Sequence, residues 1–228
     1  MVKFMGELFK EASKQPLLQI ALDFIDLKKA LEIASITINA GAHIIELGTP
    51  LIKSHGLQAL LALKEVLKNQ LIVADLKAID ALELEFTPFA RHGAHAVTLL
   101  SFIDEDILED AISLCRELNV DLIIDLIHQR DPVEKALRFA DMGVNIVSVH
   151  IGVDVQRKRN ISVKQLLKEV EEIAGTGIIV AVAGGIKPKD VRQFVEHGAK
   201  IVIIGSAITK HEDPYQATVE ALEGLRAL

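Results

Sequence analysis

Ala40-Gly41-Ala42-His43-Ile44-Ile45-Glu46-Leu47-Gly48 is one joint of a repeating unit. A glycine able to take the left-handed conformation ends a helix, and an aliphatic run short enough for one strand follows at once. The same joint recurs as His92-Gly93-Ala94-His95, Met142-Gly143-Val144-Asn145 and His197-Gly198-Ala199-Lys200. Working outward, aliphatic runs occur at Leu17–Phe24, His43–Gly48, Leu71–Lys77, His95–Ser101, Asp121–Ile127, Asn145–His150, Ile178–Ala183 and Ile201–Gly205. The stretches between them carry helical periodicity, as in Leu27, Ala30, Leu31, Ala34 or Leu57, Leu60, Leu61, Val66. Strands alternating with helices predict parallel βα units, and eight such units predict an α/β fold of the closed (β/α)8 type, a TIM barrel. An open doubly wound sheet uses the same units, but usually has fewer strands and a single switch point. No linker or low-complexity run interrupts the cycle, so residues 17–228 read as one barrel domain.

Composition agrees. Of 228 residues, half are hydrophobic, yet there is no Trp and one Tyr. Aliphatic strands covered on both faces have this character. A net charge of −7 argues against a nucleic-acid-binding surface, which needs clustered Lys and Arg. The lone Cys115 has no disulfide partner in the chain and is expected on a helix facing the core, compatible with a reducing, cytoplasmic setting. No run is long enough to cross a membrane. Residues 1–16 form an extension in which Lys3, Glu7, Lys10, Glu11 and Lys14 interrupt Phe4, Met5, Leu8 and Phe9. Those charges forbid a signal peptide, and the spacing predicts a short amphipathic helix that plugs the barrel's bottom or packs on a partner.

Barrel enzymes carry their chemistry at the C-terminal ends of the strands. There the chain places Asp23 after the first strand, Glu46 on the second, Asp75, Lys77 and Asp80 around the third, Asp125 on the fifth and His150 on the sixth. Alternation in Ala74-Asp75-Leu76-Lys77 sends Asp75 and Lys77 to the same side. If Ala74 and Leu76 face the helices, both charges face the interior, where charge requires a partner. A single Asp at a strand end can simply cap the next helix, and Glu46 with Asp75 can simply pair with Lys77. Asp23, Glu46, Asp75 and Asp125 against one lysine, however, leave surplus negative charge, which a divalent cation such as Mg2+ or Mn2+ would neutralise. His43, His55, His92, His95, His197 and His211 precede strands or sit on helices and read as structural or surface residues. The seventh and eighth strands end in Gly184-Gly185 and Gly205-Ser206, where barrels often bind phosphate on backbone N–H groups.

At these residues the sequence resembles a known family. Glu46-Leu47-Gly48-Thr49-Pro50, Asp75-x-Lys77-x-x-Asp80, Leu18-Gln19-Ile20-Ala21-Leu22-Asp23, Ala183-Gly184-Gly185 and His150-x-Gly152-x-Asp154-x-Gln156 resemble the 3-hexulose-6-phosphate synthases of the orotidine monophosphate decarboxylase suprafamily. The resemblance implies a lyase of carbohydrate metabolism, belonging to the ribulose monophosphate pathway, that interconverts hexulose 6-phosphate with ribulose 5-phosphate and formaldehyde. It implies Mg2+ on Glu46 and Asp75, and His150 removing the C1 proton to give a cation-stabilised enediolate. Lys77, Asp23, Asp125 and the partner subunit's Asp80 would orient substrate and handle charge in a homodimer with shared sites. Gly184, Gly185, Gly205, Ser206 and Asp154 would bind the sugar phosphate. Glu46 stands where metal-independent decarboxylases of the suprafamily have lysine, and Val153 where 3-keto-L-gulonate-6-phosphate decarboxylases have arginine. A decarboxylase of that second kind is the near alternative. A non-catalytic sugar-phosphate-binding paralogue would first lose catalytic residues, and all are present. Ala78, Leu82, Phe102 and His128 depart from the synthase pattern.

Overall fold

The computed structural model describes residues 4–67, 69–152, 155 and 163–226. Its strands are β1 (Leu17–Leu22), β2 (Ile44–Leu47), β3 (Leu71–Ala78), β4 (Ala96–Leu100), β5 (Asp121–Asp125), β6 (Ile146–His150), β7 (Ile179–Ala183) and β8 (Ile201–Ile204). They are parallel, each pairs with the next, and β8 pairs back to β1, so the sheet closes into a barrel. Helices cover its outside, as the alternating pattern requires. The joint that opened the sequence reading behaves as expected: Gly41 closes the helix Leu27–Ala40 at φ 107°, a left-handed value that a side chain would resist.

Strand parity sorts the residues. Leu18, Ile20, Ile45, Val97, Val147, Val180 and Val202 point outward and pack against helix residues such as Leu60, Phe86, Phe139 and Phe194. Their neighbours point inward. Leu17, Ile44, Leu71, Val73, Ala96, Ile123, Ile146, Ile179, Ala181 and Ile201 fill the lower barrel as a separate apolar cluster. The next inward positions up the strands are Gln19, Glu46, Asp75, Thr98, Asp125 and Ser148, all buried and all polar. A greasy floor therefore lies under a polar upper layer.

The N-terminal helix α1 (Glu7–Lys14) closes the bottom. Leu8 and Ala12 are fully buried within the inner apolar cluster, so of the two expected roles the chain itself shows the plug. Asp121, at the lower end of β5, accepts from Gly6 N at 2.9 Å and from Phe9 N at 3.0 Å, satisfying N–H groups that a helix start leaves unpaired. Burial raises the Asp121 carboxyl above its usual range against the pull of these bonds. His43 and His95 are structural, as read: their Nδ1 atoms accept from Leu18 N and Ile72 N at 3.1 and 2.9 Å. Cys115 is buried on its helix, and burial pushes its thiol up to about 12. Among the described residues, no helix is long and apolar enough to cross a membrane.

Candidate active site

The upper polar layer is a connected network. Lys77 Nζ donates to both oxygens of Asp75, at 2.9 and 2.8 Å, and to Asp125 Oδ2 at 2.9 Å. His150 Nδ1 lies 3.1 Å from the same Asp125 oxygen. Three strands thus converge on one ammonium, two carboxylates and one imidazole. The expected inward convergence of Asp75 and Lys77 is observed, with Ala74 and Leu76 on the helix side.

Electrostatics separates the carboxylates. Burial alone would raise the Asp125 carboxyl, but His150 and Lys77 together outweigh it and hold the group at about 2. Burial also works against the Lys77 ammonium, and Asp75 and Asp125 raise its pKa all the same. Glu46 behaves oppositely. Burial, then the negative charges of Asp75 and Asp23, push its carboxyl well above the usual range. Asp23, at the mouth, is raised by burial and then by Asp75. The layer holds more negative charge than Lys77 neutralises.

Several residues that hold this arrangement escaped the sequence reading. Gln19 Nε2 donates to Glu46 Oε2, while Gln19 Oε1 is buried without a partner among the described residues. Thr49 Oγ1 reaches Asp75 O and Asp75 Oδ2, both at 2.8 Å, and Thr98 Oγ1 donates to Asp75 Oδ1 at 2.9 Å. Thr49 and Gln19 lie inside the quoted motifs, but an uncharged side chain carries no signal of its own until its neighbours are known. Gly48 gives Asp23 its place: a Cβ there would come within 2.3 Å of Asp23 Oδ1.

The remaining expected residues divide. Gly184 and Gly185 follow β7, Gly205 and Ser206 follow β8, and these strands are neighbours, so the two loops lie side by side at the mouth. Gly184 sits at φ 111°, and a Cβ would come within 2.4 Å of Ile151 O. Asp80 stays outside the network, exposed beyond β3. The helix Leu82–Arg91 that follows has no side-chain cap, so Asp80 does not serve as one. Asp154 lies outside the described residues. Phe102 is half-exposed at the mouth, and His128 adopts φ 63° after β5.

A divalent cation is compatible with this donor set. Among the described residues, no cluster of three or more ligating side chains forms. Two carboxylates do converge, Glu46 and Asp75, and Mg2+ commonly uses one or two, completing its shell with water and substrate oxygens. The raised Glu46 carboxyl and the unpartnered Gln19 Oε1 both mark a place short of positive charge or a ligand.

Comparison with known proteins fits this geometry. Residues 16–221 match the family described as Orotidine 5'-phosphate decarboxylase / HUMPS. The chain belongs to that family. Within it, the chain is 31% identical over 210 residues to a 3-hexulose-6-phosphate synthase of Staphylococcus aureus strain USA300, covering 91% of this chain and 99% of that protein. A bifunctional Fae/Hps enzyme of Methanothrix thermoacetophila is 33% identical over 211 residues, 92% of this chain, and the match spans only 53% of that longer protein. A crystal structure of a 3-hexulose-6-phosphate synthase superposes with a TM-score of 0.85 at 32% identity, over 92% of this chain and 99% of the other. These HUMPS-family relatives are lyases, and the chain is an enzyme of that kind. The match begins at residue 16, so the α1 plug precedes the part shared with the family.

Proposed function

We propose that this chain is a metal-dependent aldehyde-lyase interconverting hexulose 6-phosphate with ribulose 5-phosphate and formaldehyde. The observation that carries the reading is Asp125, which joins the imidazole of His150 to the ammonium of Lys77 at the strand ends. An ionised Asp125 accepts the Nδ1 proton of His150, which fixes the tautomer and leaves the Nε2 lone pair free as a base. In condensation, that nitrogen takes the C1 proton of ribulose 5-phosphate. The electron pair left behind forms the new C–C bond to formaldehyde, and the aldehyde oxygen becomes a hydroxyl by taking the proton back from His150. Cleavage runs the same steps in reverse. Lys77 stabilises negative charge on substrate oxygen, and Asp75 and Asp125 hold it in place. Glu46 and Asp75 would hold Mg2+ or Mn2+, which supplies Lewis-acid stabilisation of negative charge on the sugar's carbonyl and hydroxyl oxygens.

The phosphate is assigned to the paired loops carrying Gly184, Gly185, Gly205 and Ser206, with Asp23 orienting the sugar and Asp154 expected to bind the substrate. Glycine there lets an anion approach backbone N–H groups closely. A homodimer across the mouth is part of the same reading. Asp80 is exposed and caps no helix by its side chain, and at the same end of the barrel Ile79 and Leu84 near it in sequence and Ile25 after β1 stand 50%, 78% and 75% exposed. An isologous contact would cover these side chains and deliver Asp80 to the partner's pocket.

The test is turnover of hexulose 6-phosphate with formaldehyde release followed, and 3-keto-L-gulonate 6-phosphate as the competing substrate. Formaldehyde and ribulose 5-phosphate in equal amounts are expected. Carbon dioxide from the keto-gulonate, with no formaldehyde from the hexulose, would overturn the assignment in favour of a decarboxylase.

A further inference from the structure

Between β3 and β4 the sheet loses register. Val73 pairs with Ala96 and Ala74 with Val97, but the next pair is Ala78 with Leu99. Four residues of advance on β3 match two on β4, so Asp75, Leu76 and Lys77 form a bulge. Lys77 sits at φ 48°, a left-handed conformation that a residue with a side chain adopts only when its surroundings hold it there. Lys77 itself is missing from the ladder pairs with β4, so its N–H makes no regular ladder bond there. Instead, it donates to Thr98 Oγ1 at 2.9 Å. The same hydroxyl passes its own proton to Asp75 Oδ1 at 2.9 Å. Thr98 is 7% exposed, so no bulk water competes for either bond.

We infer that Thr98 is a positioning residue whose hydroxyl clamps the strained β3 bulge and so sets Asp75 and Lys77 in register with each other. The hydroxyl works in both directions, accepting from the backbone of one residue and donating to the carboxylate of the other. Without it, the Lys77 N–H has no partner within the sheet, and the bulge is free to relax toward regular pairing. A regular strand would shift the Lys77 ammonium away from Asp125 on β5. Among the described residues the Thr98 hydroxyl bonds only Lys77 N and Asp75, so it acts through the two charged residues.

The catalytic part of this inference rests on the proposed lyase reaction, and the experiment separates the two. Thr98→Val keeps the shape and removes the hydroxyl, whereas Thr98→Ser keeps the hydroxyl. Hydrogen exchange at the Lys77 amide reads the clamp directly, without any assay of activity. We expect exchange at least about tenfold faster in the Val variant and native protection in the Ser variant. In steady state, the Val variant should lose about 100-fold in kcat, the usual result of an ångström-scale misplacement, with KM within about threefold because the phosphate loops are untouched. The Ser variant should recover kcat. Native protection of Lys77 in Thr98→Val would overturn the clamp whatever the substrate proves to be, and so would a folded Ser variant as impaired as Val. Should Val fail to fold, the Ser variant alone decides by the same two readings. Absence of hexulose 6-phosphate turnover in the unmodified chain would sink the reaction assignment and leave the exchange result standing.

Discussion

Asp125→Asn is the substitution whose effect the geometry specifies most closely. It removes one charge at nearly constant volume, from a residue that is 2% exposed and bonded to Lys77 and His150. The native carboxyl sits at about 2, against an ordinary 3.8. That displacement corresponds to roughly 2–3 kcal/mol of stability tied to the ionised form. Because the folded value is the lower one, the contribution is present in full above the unfolded value near 3.8 and disappears as pH falls toward 2. The Asn variant has no such titration. Urea unfolding at a series of pH values should therefore show the unmodified chain ahead by about 2 kcal/mol or more at pH 6, narrowing to about 1 kcal/mol at pH 3. A gap that stays constant or widens on acidification would refute the view that Asp125 is held ionised by its bonds to Lys77 and His150.

Other outcomes follow from the same site. Thorough chelation is expected to abolish lyase activity and Mg2+ or Mn2+ to restore it; full turnover in a verified metal-free sample would remove the cation from the mechanism. His150→Asn should slow exchange of the substrate's C1 proton with deuterated water, measured without formaldehyde, by about two to four orders of magnitude. Native exchange in that variant would mean another residue is the base. Gly184→Ala forces a Cβ toward Ile151 O in a left-handed backbone, and thermal or urea unfolding should register a loss of roughly 1–3 kcal/mol. Equal stability there would show that the turn relaxes freely. Inactive Lys77→Ala and inactive Asp80→Ala chains, unfolded and refolded together, should regain activity in mixed dimers, whereas confirmed mixed dimers without activity would place Asp80 in the service of its own chain.

Much of this protein is legible from its sequence because the relevant signals are local. Aliphatic runs mark strands, glycines such as Gly41 mark helix ends, and the two-residue period of a strand already sends Asp75 and Lys77 to one side. Parity and the known polarity of barrels were enough to place Asp23, Glu46, Asp125 and His150 at one end. What escaped is whatever depends on two distant segments meeting. The plug could be read as a helix, but its anchor on Asp121 spans more than a hundred residues and leaves no local pattern. Thr98 looks like any strand threonine until the β3 bulge brings Lys77 N and Asp75 to its hydroxyl. Gln19 likewise acquires meaning only beside Glu46. Charge announces itself in sequence because burying it always requires an explanation, whereas a neutral hydroxyl or amide becomes informative only when the fold brings its partner within 3 Å.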